Sequence, residues 1–249
     1  MNLQRFNALW RFNYPLVERQ VIIYLIVSVF FAILMLLPVS GPIQFSIYTF
    51  GNMALNYLVV LAPIVLAKNG DYRIIERLIP ATAGEKFCWR LIYFLIVIPA
   101  VTIVFPYWAG YLYLQIPSIQ TEAMKSAIEM AENLPFRVML LNKLTYVAEV
   151  LTCLYVVSYT RKSRIVKSVL AVFVVQFVVA CFGFAWGIYS TTAALSADSQ
   201  SPLNPQQLQD EVLARMYDTS YLFIVIGVVT VYTSIMLILN YRVLKHRNL

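Results

Sequence analysis

The residue with the clearest chemical potential in this sequence is Glu149, an acid about halfway along an apolar run. A charge at that depth in lipid costs at least about 2.5–3.5 kcal/mol, so it must face a partner or water. A functional Glu149 would contact a substrate, a proton or an ion. A structural Glu149 would be protonated or hydrogen-bonded and hold helices together, with a tyrosine or Gln176 as its partner. The sequence leaves both interpretations open.

Catalytic motifs are missing from the sequence. The single histidine, His246, lies in a basic tail, which removes HExxH zinc sites, Ser-His dyads and paired axial haem ligands. The chain has no GxSxG and no GxxxxGK[ST] motif, and Cys88, Cys153 and Cys181 lie too far apart to suggest a metal or disulfide pattern. We therefore expect no enzyme activity, no metal site and no cofactor. Any ATP that drives this protein must be bound by another chain.

Composition indicates an integral membrane protein that lies in a lipid bilayer. Of the 249 residues, 61% are hydrophobic and only 12% are charged, whereas soluble domains have about 45–50% apolar and about 25% charged residues. The net charge of +7 is typical of Lys and Arg collected on the cytoplasmic side of a membrane protein. We therefore expect no nucleic-acid partner.

Six apolar runs predict an all-α, polytopic protein with six transmembrane helices. They cover residues 21–37, 47–67, 87–114, 140–159, 165–189 and 221–241. Each is near the ~20 residues that cross ~30 Å of hydrocarbon, where the backbone must satisfy its own hydrogen bonds. The first run is short, so we expect Arg19 or Gln20 to snorkel toward the membrane surface. We expect Pro99 and Pro106 to bend or break the third run.

The segments outside these runs are small, so the chain forms a single transmembrane domain. Residues 1–20 are rich in aromatic residues and arginine, which predicts a helix in the membrane interface, with a mobile basic tail as the alternative. Residues 115–139 and 190–220 form outer loops. The first carries a predicted surface helix, and the second begins as a Ser/Thr/Ala-rich linker and becomes helical at Asn204.

The distribution of basic residues predicts the orientation. Fifteen of the 19 Lys and Arg residues flank the same side of the six runs. By the positive-inside rule, both termini lie in the cytoplasm, and the predicted location is the cell (inner) membrane.

Residues 71–86, between the second and third runs, predict an amphipathic helix on this cytoplasmic side. Apolar side chains recur there at helical spacing, opposite charged ones. The apolar stripe consists of Ile74, Ile75, Leu78 and Ile79, and the charged side of Arg73, Glu76 and Arg77. Pro80 stops this helix, and residues 82–85 indicate a restart into the third run.

Gly183 and Gly187 form a GxxxG motif near the outer end of the fifth run. Small residues four apart allow close approach of helices. The motif fits a subunit interface and packing within one chain equally well.

This layout resembles the membrane subunit of ABC-2 type (type V) transporters. The shared features are an interfacial N-terminal helix, six spans with both ends inside, a cytoplasmic amphipathic helix between spans two and three, and an outer helical segment before span six. Residues 76–87 are also similar to the LPxS/T…EK sequence that follows span two in small permease-like proteins of the Bacteroidetes.

The resemblance implies a permease subunit of an ATP-driven exporter that pairs as a homodimer or heterodimer and binds a separate ATP-binding subunit. The 71–86 segment would be the coupling helix, with Ile74, Ile75 and Leu78 filling a groove on the ATPase and Glu76, Arg77 and Glu85 setting the register. Two other classes stay open. Spans one to three and four to six have the geometry of an inverted repeat, as in secondary transporters. A non-transporting assembly, immunity or sensor subunit is also compatible with the small loops.

Overall fold

The structure is a computed structural model that describes residues 3–37, 40–64, 81–116, 135–160, 163–198 and 219–247, together with residues 121, 122, 125 and 128. Within these residues all regular secondary structure is helical, and six helices are long and apolar enough to cross a membrane. The prediction of an all-α, polytopic membrane protein is confirmed.

The six helices follow the predicted apolar runs but extend beyond most of them. Helix α1 spans Leu3–Met35, and α2 spans Gly41–Leu61 and continues as a 3₁₀ turn at Ala62–Ile64. Helix α3 covers Ala83–Gln115, with a π-helical turn at Tyr93–Val97. Helices α4, α5 and α6 span Phe136–Tyr159, Arg164–Asp198 and Thr219–Arg247.

Contacts between helix ends show that successive helices run antiparallel. At one end of the bundle, Gln20 of α1 binds the backbone at Ala62 after α2, and Tyr93 of α3 binds Gln20. At the other end, Gln44 at the start of α2 accepts a hydrogen bond from Tyr113 at the end of α3. We call these the terminal end, which both chain termini approach, and the loop end.

The core is concentrated around α3 and α4 in the terminal half. Trp89, Tyr93 and Phe94 are at most 1% exposed, and the rings of Trp89 and Tyr93 stack with centroids 5.4 Å apart. Helix α6 is tied to α4 by a bond from the Asn240 amide to the Leu151 carbonyl at 2.9 Å. Aromatic burial and interhelical hydrogen bonds thus join the central helices, as expected where lipid supplies no hydrophobic drive between spans.

Residues 3–20 do not form a separate helix. Helix α1 continues without a break into the first span, with Pro15 inside it. Leu9 and Val17 belong to the same buried cluster as Trp89, so this segment packs on the bundle through its apolar residues. The expectation that Gln20 snorkels is wrong: it is 3% exposed and bonds inside the protein. Whether residues 3–16 also touch lipid headgroups stays a prediction.

Helix α3 begins where the sequence indicated a restart. Thr82 and Glu85 form a capping box, in which the Thr82 N–H donates to Glu85 Oε2 at 2.9 Å and the Glu85 N–H donates to Thr82 Oγ1 at 3.3 Å. This reciprocal pair satisfies two of the unpaired N–H groups at a helix start.

The prolines of α3 do not break the helix, contrary to one of the two predicted outcomes. The π-helical turn immediately precedes Pro99 and widens the backbone there. Pro106 cannot donate to the Thr102 carbonyl one turn earlier, and the Ser28 hydroxyl of α1 donates to that carbonyl instead, at 2.9 Å. A side chain of a neighbouring helix therefore replaces the lost backbone bond.

The outer loops are described only in part. The expected linker at residue 190 is wrong for its first nine residues, because α5 remains helical to Asp198. The predicted helix at Asn204 lies outside the described residues. In residues 117–134, Glu122, Lys125 and Ile128 are helical, and the buried Ile128 packs on Tyr113.

Candidate binding cavity around Glu149

Glu149 lies on α4 with its side chain 6% exposed. The side-chain amide of Gln176 on α5 is a hydrogen-bond partner of the carboxyl group. The Tyr57 hydroxyl on α2 donates to Gln176 Oε1 at 2.6 Å. Because Tyr57 occupies the amide oxygen, the amide nitrogen of Gln176 is the atom available to donate to Glu149. Three helices are therefore linked through one polar chain.

This polar chain faces a cavity of about 680 Å³ between α2, α3, α4 and α5. That volume is in the range of small-molecule sites, about 300–1,000 Å³. Its polar lining consists of Asn56, Tyr57, Asn142, Lys143, Thr145, Tyr146, Glu149 and Gln176. Asn142 and Glu149 share a face of α4 because they are seven residues apart, close to two helical turns. A membrane protein that keeps this many polar groups around a void has room and hydrogen-bonding capacity for a polar ligand.

Among the described residues that line this cavity, one side chain is acidic and one is basic. Glu149 lies deep in the cavity, and Lys143, which is exposed, lies six residues closer to the loop end. Six residues correspond to about 9 Å along the helix axis. The two charges can therefore contact different ends of one ligand.

A second cavity of about 540 Å³ continues toward the loop end. Asn56, Val59 and Ile103 line both cavities, so the two voids adjoin. Tyr107 and Tyr111, near the end of α3, lie on the lining of the second void. The path from Glu149 thus leads toward the loop end, while the terminal end is filled by the aromatic core.

Of the predicted coupling residues, Arg73, Ile74, Ile75, Glu76, Arg77, Leu78 and Ile79 lie outside the described residues. Glu85 is described, and its carboxylate caps its own helix at 5% exposure. This position leaves little of Glu85 for a partner protein to contact, so its predicted role in setting register is not supported.

Among the residues that the structure describes, the GxxxG motif shows no close packing at its first glycine. A Cβ added to Gly183 would meet nothing within 4 Å. The described helices therefore do not pack closely on Gly183, and both interpretations of the motif, packing within one chain and a subunit interface, stay predictions. The surroundings of Gly187 lie outside the described side chains.

Glu149 was predicted from the sequence with Gln176 or a tyrosine as its partner, and the structure brings all three residue types together. Asn56 and Asn142, whose amides also face the cavity, were not predicted. The available signal was the seven-residue spacing of Asn142 and Glu149 in an apolar run. Within the described residues, no group of three or more His, Cys, Asp or Glu side chains could hold a metal ion.

Comparison with known proteins gives no relative: no protein-family model, no curated protein and no solved structure matches the chain. The functional argument therefore depends on the geometry of the chain itself.

Proposed function

We propose that this protein is the membrane permease subunit of an ATP-driven, ABC-2-like exporter in the cell inner membrane, with both termini in the cytoplasm. ATP is hydrolysed by a separate partner chain, and two permease subunits pair. The observation that carries the transport function is the polar cavity around Glu149. A buried acid beside a void in a membrane bundle is the usual mark of a solute or ion pathway.

The connection of α3 to the preceding segment supports the role of an ATP-binding partner. Helix α3 starts at a hydrogen-bonded cap at Thr82, directly after the amphipathic 71–80 sequence. Leu95, Pro99 and Ile103 of the same helix line the cavity. A partner that displaces the 71–80 segment would therefore pull on a helix that forms a cavity wall. The π-helical turn at Tyr93–Val97 includes Leu95 of that wall and lies between the cap and Pro99, and such turns are common at functional sites.

Co-purification tests the partner. The tagged chain is extracted from membranes of its own cells in mild detergent, and a P-loop ATPase is sought among the associated proteins. We expect Ile75→Asp or Leu78→Asp to abolish that association, because a charge cannot be buried in an apolar groove without a counter-charge. Lys245→Asp, at an exposed position near the C terminus, is the matched control and should leave the association intact.

Normal insertion of Leu78→Asp with unchanged ATPase association and unchanged transport would rule out the coupling role. The test separates a failure of membrane insertion from a loss of ATPase association, because insertion is measured by membrane fractionation and association by recovery of the partner.

Secondary transport is a second candidate because Glu149 is itself able to bind a proton or a cation beside the cavity. In that case the chain alone, reconstituted in vesicles, would move solute on a cation gradient without ATP, and Glu149→Gln would abolish that movement. Transport that requires the ATPase and ATP would exclude this candidate.

A further inference from the structure

An apolar groove adjoins the polar cavity on the other side of α4. It has a volume of about 260 Å³ and lies between α4, α5 and α6. Its walls are hydrocarbon side chains, including Val178 and Phe182 of α5 and Ile224 and Val228 of α6. Apolar voids of this kind take hydrocarbon rather than water.

The groove and the polar cavity meet at Thr145, which lines both. The burial of helix α5 changes along its length near this point. Ser168 and Val172, in its terminal half, are at most 1% exposed, but beyond Val172 none of its described side chains is buried. Toward the loop end from Gln176, the described part of α5 therefore packs less closely than its terminal half, and Thr145 marks the edge at which the polar cavity meets the apolar groove.

We propose that the two compartments together bind an amphiphile whose headgroup carries both an amine and an anionic group, such as a phospholipid with a primary amine. The amine pairs with Glu149, the anionic group pairs with Lys143, and an acyl chain passes the Thr145 opening into the apolar groove. This inference rests on the proposed function and names its substrate class.

Charge complementarity selects this occupant over a purely apolar one. A charged Glu149 needs a counter-charge in lipid, and an ammonium group supplies both charge and N–H donors. Lys143 lies closer to the loop end, where the phosphate of a lipid entering from the side would sit when its amine points inward. The tyrosines and amides of the lining supply further hydrogen bonds to the headgroup.

Lipid titration tests the proposal. The purified, delipidated chain in detergent is titrated with dioleoyl phosphatidylethanolamine, phosphatidylglycerol or phosphatidylcholine, and bound lipid is counted by native mass spectrometry. We expect phosphatidylethanolamine to bind about tenfold more tightly than phosphatidylglycerol, the factor given by one interaction of about 1.4 kcal/mol. Phosphatidylcholine, which has no N–H donor, should not share this preference.

Four variants locate the binding. Glu149→Gln should reduce phosphatidylethanolamine binding to the level of phosphatidylglycerol, and Lys143→Gln should weaken both lipids. Val228→Trp fills the groove and should weaken both lipids about tenfold or more. Val231→Trp is its matched control, because it lies on the same helix at similar exposure but outside the groove. It should change nothing.

Equal binding of the three lipids by the unmodified chain, or an unchanged preference in Glu149→Gln, would overturn the inference. A Val228→Trp variant that keeps its lipid but no longer dimerises would also overturn the inference. That result would mean that a second copy of the chain, and not a lipid, occupies the groove. Leu78→Asp separates the two proposals. If Leu78→Asp loses the ATPase but keeps the lipid preference, both the coupling role and the lipid site are supported. If the unmodified chain binds the ATPase but shows no lipid preference, only the proposed function stands.

Discussion

Polar side chains inside the bundle form two kinds of cluster. In the first, here called the Gln20 lock, Gln20 Nε2 donates to the Ala62 carbonyl at 3.1 Å and the Tyr93 hydroxyl donates to Gln20 Oε1 at 2.8 Å. Gln20 and Tyr93 are 3% and 0% exposed. In the second, around Glu149, the side chains also bond one another, but Asn142 and Lys143 remain exposed on a void.

The difference separates polar groups that hold the fold from polar groups that can hold a ligand. The Gln20 lock supplies a donor to the Ala62 carbonyl in the 3₁₀ turn that continues α2, where a buried backbone carbonyl needs a hydrogen-bond partner. Its two bonds leave no room for another molecule. The Glu149 cluster has the same residue types, yet the void beside it preserves unused hydrogen-bonding capacity. A buried polar residue is therefore a better candidate for ligand binding when it adjoins a cavity than when it is merely polar.

The largest effect is expected when the Gln20 lock is removed. Gln20→Ala leaves the Ala62 carbonyl and the Tyr93 hydroxyl buried without this partner, at about 1–3 kcal/mol for each unsatisfied group. We expect the free energy of unfolding to fall by about 3 kcal/mol, measured by denaturant titration in detergent. Arg19→Ala, at the exposed neighbouring position, is the control. A loss no larger than that of the control would mean that the lock does not hold the fold.

A glycine pair tests a related contrast, between a position crowded by a neighbouring side chain and an open one. A Cβ at Gly51 would lie 2.9 Å from Cδ1 of Phe31, whereas a Cβ at Gly110, on the cavity lining, would meet nothing within 4 Å. Both substitutions gain up to about 1 kcal/mol through helix propensity, but Gly51→Ala also forces the Phe31 ring to shift at a cost of about 1–3 kcal/mol, so it should lower the free energy of unfolding by about 1 kcal/mol. Gly110→Ala should raise it by up to about 1 kcal/mol through helix propensity. Equal effects in thermal unfolding would contradict the difference in packing.

The smallest expected effect has the opposite sign to the first. Glu149→Gln removes an ionisable group whose charged form is costly to bury, while it preserves shape and hydrogen bonding, so the free energy of unfolding should stay constant or rise by about 1 kcal/mol. Glu18→Gln, on the exposed side of α1, serves as the control in the same unfolding assay. A loss above 1 kcal/mol would assign Glu149 to the structural group, together with Gln20.

Local signals in the sequence predicted the features that depend on neighbouring residues. Apolar length gave the six spans, and the spacing of Thr82 and Glu85 indicated the start of α3. Features that depend on distant residues were missed. The burial of Gln20 requires knowledge that Ala62 and Tyr93, far away in the chain, meet it. The continuity of α1 was missed because the aromatic residues and arginines of residues 1–20 suggested a helix in the membrane interface, whereas packing of Leu9 and Val17 against the core holds this segment on the bundle.

Helix α1 also has a mechanical consequence. Its 33 residues make a rod of about 50 Å, at 1.5 Å per residue. A tilt within the usual limit of ~40° reduces its height to only about 38 Å, still more than ~30 Å of hydrocarbon. The first turns of α1 must therefore project beyond the hydrocarbon, at the end of the bundle where α2 ends and α3 begins. Because Leu9 and Val17 pack in the same buried cluster as Trp89 and Tyr93, a force on these first turns is transmitted directly to the start of α3.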